Sequence, residues 1–553
     1  MKKIFFSTEE LDARASAKFG LGEQILMENA AGRIEGEIRK RLKKGSRILA
    51  LCGGGNNGAD ALAALRKLSG DFSCTALCVF QNRSAASKFQ ADAARASGVR
   101  FIDIASAKDD CGHVKGASSK DACTHESASG PYLKDAGASE PQDERESLSG
   151  ADISGGGDKL RAKFEDTKFT NAKFETAEDG RDFGNLGNEC GEPRILHDEI
   201  TSADCIIDGI FGSGLNKPIS TEICEILSLA NGTKSLKIAV DIPSGIDKSG
   251  CILGGAFCAD LTIAMGALKL ALFSDGAKDY VGRIKVANLG ISRSNFERRS
   301  EYFLLQKSDL KLPLRTKQNT NKGDFGHTYV VSGQMSGAAQ MAALAAHAIG
   351  SGLVSVVSDE PLNLSPILMQ KSSFDAARVV VCGCGLGEQK IDLAALRGKS
   401  CVIDADLCYE REILSLLNAN SNLILTPHPK EFCSLLKIAG IADLSVSELQ
   451  ERRFELARAW SDKFSGVLVL KGANTLIAQA GVIYVCDKGS AALAKGGSGD
   501  VLAGLIGGLL AQGYSPLQAS ICGVLAHALA ARAFAKNSYA LNPLDLIEEV
   551  KWL

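Results

Sequence analysis

The sequence predicts an α/β protein made of two doubly wound domains, and three observations carry that prediction. Short apolar runs alternate with helical patterns along most of the chain, and the runs stop at Gly, Asp or Asn, where parallel sheets place their ligands. A charged stretch between residues 295 and 315 interrupts this series, which then begins again. At 553 residues the chain exceeds what one hydrophobic core serves, at roughly 100 to 200 residues per domain.

Residues 8–43 carry a helical pattern, with Leu26-Met27-Glu28-Asn29-Ala30 at its middle and basic residues at its end. Arg47-Ile48-Leu49-Ala50-Leu51-Cys52 then reads as a buried strand running into a glycine turn, with a helix from Asp60 to Leu68 behind it. Strand, glycine turn and helix open a βαβ unit. Apolar segments at 74–80, 204–208 and 236–241 read as further parallel strands.

Residues 106–194 differ: Ser, Gly, Asp, Lys and Ala dominate, and Ala-Lys-Phe-Glu occurs at 162–165 and again at 172–175. So few aliphatic side chains cannot offset the entropy of ordering the segment, and a disordered insertion is expected. Its Cys111, His113, Cys123 and His125 are not expected to form a metal site, because nothing around them would hold the ligands. The first domain is expected to span 1–297 and the second 310–553. In the second, strands are expected at 328–332, 353–357, 378–382, 401–404, 423–425 and 467–471, with helices at 337–349, 447–463 and 499–511.

Composition excludes several function classes. A net charge of -2 gives no global attraction to nucleic acid or to an anionic membrane, so neither is an expected partner, and any phosphate binding must be local. The basic start, Met1-Lys2-Lys3, runs into Glu9, Glu10 and Asp12 before an apolar leader can develop, and the apolar stretch 501–510 is about half of a membrane span. A cytoplasmic protein is expected. The 17 cysteines sit largely in apolar runs and read as buried reduced thiols, while Cys382 and Cys384 lack the spacing of a zinc site.

Gly53-Gly54-Gly55-Asn56-Asn57-Gly58-Ala59-Asp60 follows a strand and opens a helix, a geometry suited to phosphate or pyrophosphate. Two other strand ends, at Asp208 and at Asp241-Ile242-Pro243-Ser244, converge with it in a parallel sheet. That placement brings Asn57, Asp208 and Ser244 together as oxygen ligands for a monovalent cation, although Asp208 and Asp241 also suit capping or turn roles.

These segments, with Leu26–Ala30 and Gly212-Ser213-Gly214-Leu215, resemble the NAD(P)H-hydrate epimerase family in motif and in order. The resemblance implies a Rossmann-like fold and a hydrated nucleotide held by Asn56, Asn57, Gly58, Ala59 and Asp60, by Gly212, Ser213, Gly214, Leu215, Asn216, Lys217 and Pro218, and by Asp241. It further implies potassium on Asn57, Asp208 and Ser244, and Asp241 as the catalytic acid/base. Lys269 is a weaker second candidate, because a lysine on an apolar strand end also suits snorkelling.

In the second half, Lys495-Gly496-Gly497-Ser498-Gly499-Asp500 opens an apolar helix whose amides and dipole can stabilise a transferring phosphoryl group, with Asp500 placed to take a proton. Val469-Leu470-Lys471-Gly472 delivers a lysine and a glycine turn suited to phosphates, and Pro427 and Pro429 hold His428 rigidly between them. Gly383–Gly387 and Asp404-Ala405-Asp406 mark two more strand ends.

This half, over residues 310–545, resembles the ribokinase-like superfamily and, more narrowly, the ADP- or ATP-dependent NAD(P)H-hydrate dehydratases. The resemblance implies that Ala338, Gly385, His428 and Asp500 contact the hydrated NADH or NADPH. It also implies that Lys471, Gly472, Ala473, Asn474, Thr475 and Gly499 bind the adenine nucleotide with Mg2+, and that Asp500 is the catalytic base. The expected protein is a bifunctional repair enzyme and a homo-oligomer. Two alternatives stay open: a ribokinase-like small-molecule kinase fused to a nucleotide-binding module, and a first half that only binds or scaffolds.

Overall fold

The computed structural model describes residues 1–104 and 192–553. The expected insertion lies outside them except at its end, where residues 192–194 already belong to a helix. The cysteines named with it lie outside as well, as do its histidines.

The strands up to the middle of the chain are β1 (Lys2–Phe5), β2 (Arg47–Cys52), β3 (Ser73–Cys78), β4 (Arg100–Asp103), β5 (Cys205–Gly209), β6 (Leu236–Val240), β7 (Leu261–Met265), β8 (Leu268–Lys269) and β9 (Arg283–Ala287). Helices α1 (Glu9–Phe19), α2 (Glu23–Arg39), α3 (Asn56–Leu68), α4 (Ala85–Ala96), α5 (Glu192–Ser202) and α6 (Thr221–Gly232) connect them. The expected 8–43 helix is therefore two, broken where Gly20 takes φ +68 and caps α1. The second helix, expected at Asp60, starts at Asn56.

A seven-stranded sheet runs β4-β3-β2-β5-β6-β7-β9 with every pairing parallel. Successive residues of its strands face opposite cores. Ile48, Ala50 and Cys52 pack with α1 to α4, whereas Leu49 and Leu51 pack with α5 and α6. Helices on both faces make this a doubly wound domain with a Rossmann-like arrangement.

The chain continues through α7 (Arg293–Phe296) and β10 (Tyr302–Leu304) into β11 (His327–Val331), β12 (Leu353–Val357), β13 (Met369–Lys371), β14 (Val379–Cys382), β15 (Ser400–Ile403), β16 (Leu423–Leu425), β17 (Val467–Leu470), β18 (Thr475–Gln479) and β19 (Val482–Cys486). Its helices are α8 (Ser336–Ala348), α9 (Ile413–Ala419), α10 (Pro429–Ile438), α11 (Val446–Lys463), α12 (Ser498–Ala511), α13 (Pro516–Ala533) and α14 (Pro543–Val550). Here too the strands divide their residues between two cores: Val380 and Cys382 pack with α9, α10 and α11, and Val379 and Val381 with α8, α12, α13 and α14.

The second sheet has twelve strands, in the order β13-β12-β11-β14-β15-β16-β17-β18-β19-β10-β1-β8. Its last members come from before and within the charged boundary. β10 pairs with β19 on one side and with β1 on the other, so the start of the chain and the linker extend the second sheet. The N-terminal ammonium closes this edge on Asp309 at 3.0 Å. Among the described residues, no helix is long and apolar enough to cross a membrane. The described cysteines are free thiols, most of them buried.

Candidate active sites

The first site forms where β2, β5 and β6 end. A Cβ on Gly53 would lie 1.9 Å from the Ile210 carbonyl oxygen, and one on Gly58 would lie 2.0 Å from that of Gly53. Only glycine permits this approach of the turn to the neighbouring strand end. Asn56 to Asp60 are the first turn of α3, not a loop ahead of it. Asn57 Nδ2 donates to the carbonyls of Phe211 (2.9 Å) and Val240 (2.8 Å), tying α3 to the ends of β5 and β6. Ala59 is fully buried and its amide donates to Gly55 O at 3.1 Å, so its methyl packs inside the domain. In the following loop, Gly212 lies against the Asn57 side chain and Leu215 is anchored in the core, while Gly214, Asn216, Lys217 and Pro218 are exposed and Ser213 is half-buried.

Asp208 and Ser244 hydrogen-bond directly, and Asn57 reaches the adjoining carbonyls of Phe211 and Val240. Asp208 is wholly buried; its carboxylate accepts from Ser244 Oγ (2.6 Å), Ser244 N (2.7 Å) and Ile210 N (3.3 Å). Burial pushes it up to about 6 against those hydrogen bonds, because all of its partners are neutral. Ser244 Oγ in turn accepts from Phe211 N at 2.9 Å.

Asp241 holds φ +70, the left-handed region that costs a non-glycine residue about 1 kcal/mol or more. This strained turn aims the carboxylate at Met265 N (2.9 Å) and at Lys269 Nζ (2.5 Å), the latter only 1% exposed. Lys269 therefore pairs with Asp241 instead of snorkelling to solvent. Asp60 stands nearby, buried, with Oδ1 unpartnered; burial first, then Asp241 and Asp12, push it well above the carboxylate range. Asp12 of α1 is pushed up to about 6, chiefly by burial, with Lys269 opposing and Asp241 adding to the rise. Sequence reasoning missed Asp12, which no local motif marks; tertiary packing alone brings α1 beside Lys269. Leu26–Ala30 holds the scaffold: Met27 and Ala30 are buried, and Glu28 pairs with Arg66 and with Lys67, the latter at 2.7 Å.

The second site forms at the ends of β14, β15, β16 and β17, beside the start of α12. Gly497 caps α12 at φ +88, where a Cβ would also stand 2.6 Å from Pro543, so the glycine is required. Asp500 lies in the first turn of α12. Lys471 follows β17, and its Nζ donates to Asp404 Oδ1 at 2.7 Å and lies 4.0 Å from Glu431 Oε2. Although burial opposes it, these carboxylates raise Lys471 above the usual lysine range. Asp500 is raised by burial first and then by Asp404, against the Cys384 thiol that hydrogen-bonds to it and the charge of Lys471. Cys384, Asp404 and Asp500 bring their ligand atoms within 4.8 Å of one another. Asp404, Glu431 and Cys384 sit in motifs visible in the sequence but without an assigned role there.

His428 is the N-cap of α10: its Nδ1 accepts from Lys430 N (3.1 Å) and Glu431 N (3.2 Å), and Nε2 lies 3.0 Å from Glu431 Oε1. Ala338 and Gly385 face each other, since a Cβ on Gly385 would stand 2.8 Å from that of Ala338. Gly499 adjoins Lys471 and Asp404, at 3.4 Å and 3.7 Å from a Cβ built there. Lys495 donates to Tyr539 O at 2.9 Å. Thr475 begins β18. Asn474 is 2% exposed and its side chain is spent on protein partners: Nδ2 donates to Phe273 O (2.9 Å) and Ser274 O (3.3 Å), and Oδ1 accepts from Lys278 (2.6 Å).

Residues 328–551 match the family model described as NAD(P)H-hydrate dehydratase, and residues 23–117 and 167–271 match that of the YjeF-related protein N-terminus. The bifunctional NAD(P)H-hydrate repair enzyme Nnr of Helicobacter pylori is 38% identical over the whole of both chains. The chain belongs to this family. Nnr of Escherichia coli is 33% identical over 64% of this chain and 73% of its own. Among solved structures, an ADP/ATP-dependent NAD(P)H-hydrate dehydratase from Bacillus subtilis is 27% identical over 43% of this chain and 92% of its own, with a TM-score of 0.37. In this member of the repair-enzyme family, the dehydratase match begins within β11 and covers the second site, while the N-terminal match covers the first.

Proposed function

We propose that the chain interconverts the R and S forms of hydrated NADH and NADPH at its first site, within residues 1–297. At its second, within 310–553, it dehydrates the S form with ADP or ATP. The observation that carries this reading is the presence, in one member of the repair-enzyme family, of two separate carboxylate centres, Asp241 paired with Lys269 and Asp500 beside the Lys471–Asp404 pair.

At the first site, inversion requires the bond between the ring carbon and its hydroxyl to break and re-form on the other face. An acid at the oxygen lets it leave as water, and the same group then takes the proton back as water re-adds, so nothing is consumed. Asp241 is the group assigned to that exchange, and the proton it relays to the leaving oxygen comes from Lys269, which recovers it as water re-adds. The 208–244 network suits potassium: Asp208 is a buried carboxylate with only neutral donors, and Asn57 and Ser244 add neutral oxygens. A bound potassium would supply the missing positive charge.

At the second site, Asp500 takes the proton from the ring hydroxyl as its oxygen attacks the terminal phosphoryl group. The start of α12 and Lys471 stabilise the charge. Phosphate then leaves with the carbon–oxygen bond electrons, the ring nitrogen lone pair assists, and loss of the neighbouring carbon's proton restores the double bond. Magnesium would neutralise the nucleotide phosphates. Asp404 is an oxygen ligand suited to it, while the Cys384 thiol makes an all-protein magnesium cage a poor fit. Free cysteines agree with a reducing, cytoplasmic setting, and a homo-oligomer belongs to the same proposal.

The test is to incubate mixed hydrate epimers with magnesium and ADP or ATP and follow reduced-cofactor absorbance and free phosphate. Both epimers should be consumed with one phosphate released per cofactor recovered. A stable phosphorylated product would instead indicate a small-molecule kinase, and consumption of one epimer alone would remove the first activity.

A further inference from the structure

The segment that leaves the first site at Lys269 turns through a short 3-10 helix, Leu270–Phe273, and meets the loop between Lys471 and Thr475. Every hydrogen-bonding group of the Asn474 side chain is engaged there by residues of the first half, and its backbone amide donates to Asp275 Oδ1 at 2.8 Å. Lys278 Nζ also donates to Ala473 O (2.7 Å) and Asp487 O (3.2 Å). Asp275 pairs with the buried Arg453, whose guanidinium reaches Lys471 O at 3.4 Å. A Cβ on Gly472 would stand 2.4 Å from Asp275 Oδ2, so the loop backbone lies directly against this ion pair.

We infer that Asp275 and Lys278 are positioning residues of the second site: the first half fixes the backbone of the Gly472–Asn474 loop, and with it the placement of Lys471 against an adenine nucleotide. This rests on the proposed nucleotide-dependent dehydration. The loop runs between β17 and β18, with Lys471 at one end already committed to Asp404. Between those ends the polar contacts that hold it come from Phe273, Ser274, Asp275 and Lys278. A half-buried ammonium that holds three acceptors at once is costly to remove, because the Oδ1 of Asn474, 2% exposed, loses its donor in a place where water does not readily replace it.

The decisive experiment compares Lys278→Met with the parent full-length chain in two ways: calorimetric binding of ADP and of ATP without hydrate, and steady-state dehydration of the purified S hydrate. Loss of a charged hydrogen-bond donor predicts roughly tenfold weaker nucleotide binding and a matching rise in the nucleotide KM. The KM for the hydrate and the rate of epimerisation should stay at parental values, the latter also reporting that the first half remains folded. Unchanged nucleotide binding in a folded variant overturns the inference, as does a uniform fall in kcat with both KM values raised. Should Lys278→Met not fold, Lys278→Gln, which keeps part of the donor set, decides by the same measurements with a smaller expected shift. A parent that binds ADP or ATP but fails to dehydrate removes the proposed function while leaving the binding comparison intact. A parent that binds neither nucleotide overturns the inference.

Discussion

In the first site the candidate acid/base, Asp241, is joined directly to a lysine, whereas in the second the lysine, Lys471, is joined to Asp404 and Asp500 has the Cys384 thiol as a hydrogen-bond donor. The two arrangements suit different tasks. Epimerisation must give a proton and take one back, and the Asp241–Lys269 pair carries that proton before the first step and after the second. Phosphoryl transfer needs a base that accepts a proton as negative charge shifts onto the phosphates. Asp500, raised by burial and Asp404, accepts one more readily than an exposed carboxylate.

The comparison breaks most sharply at the two bases. Asp500→Asn should lower dehydration by about a thousandfold, within the range for loss of a general base, and leave epimerisation untouched. Asp241→Asn should do the converse: with mixed epimers, recovery should stop when the S form is exhausted, a loss of about a hundredfold or more in epimerisation. Since Lys269 then loses its direct counterion while 1% exposed, this variant should also melt lower than the Asp500 variant. Cross-effects between the two activities in either variant would dissolve the distinction between the sites.

A smaller effect separates the halves through stability. His527 of α13 is buried beneath α12, with Nε2 2.9 Å from Ser498 O and 3.2 Å from Ser498 Oγ. Burial first, opposed by the Ser498 carbonyl and aided by Lys471, pulls it down to about 4. Between about 6.5 and about 4 the unfolded chain therefore binds the proton that the folded chain refuses, so stability falls as pH drops through that window and levels off below it. Roughly 3 kcal/mol is at stake by linkage. His527→Gln, which keeps a donor toward Ser498, should flatten that part of a melting curve measured against pH. An unaltered pH dependence would show that another group governs it.

Potassium should act on the other half. Saturating a site at a hundred times its dissociation constant stabilises a fold by about 2.7 kcal/mol. Added potassium should thus raise the parent's melting temperature, and do so less or not at all in Asp208→Asn. Dehydration of the S form should be indifferent to the Asp208 change. Equal potassium responses in parent and variant would detach the cation from Asp208.

Much of this was legible in the chain because the informative residues sit at strand ends, where a parallel sheet leaves little choice of direction. β2, β5, β6 and β14 to β17 are each marked by an apolar run and a stop at the strand end, and Asp208 and Ser244 meet at two of those ends. What escaped depends on contacts remote in sequence. Asp12 reads as one charge among several until α1 folds beside Lys269. Asn474 looks like a ligand residue in a glycine turn, and only the segment 273–278 shows that its side chain is already taken. The twelve-stranded sheet was hidden for the same reason: the pairing of β1, β8 and β10 is set by partners far along the chain.

The finest test of the comparison lies at Cys384. Burial holds its thiol well above the usual cysteine range, so it remains a donor and its hydrogen bond favours the charged form of Asp500. Cys384→Ala removes that donor, and Asp500 should rise further. A general base works only when deprotonated, so dehydration fails below its pKa, and the acidic limb of kcat should move to higher pH. The shift should be under about one pH unit, since a single weak donor contributes on the order of 1 kcal/mol. Cys384→Ser retains a donor and should leave the limb close to the parent's, while epimerisation should be unchanged in both. An unmoved limb in Cys384→Ala would mean that Asp500 answers only to Asp404 and Lys471. Equal shifts in both variants would mean that the packing at this position matters and the thiol proton does not.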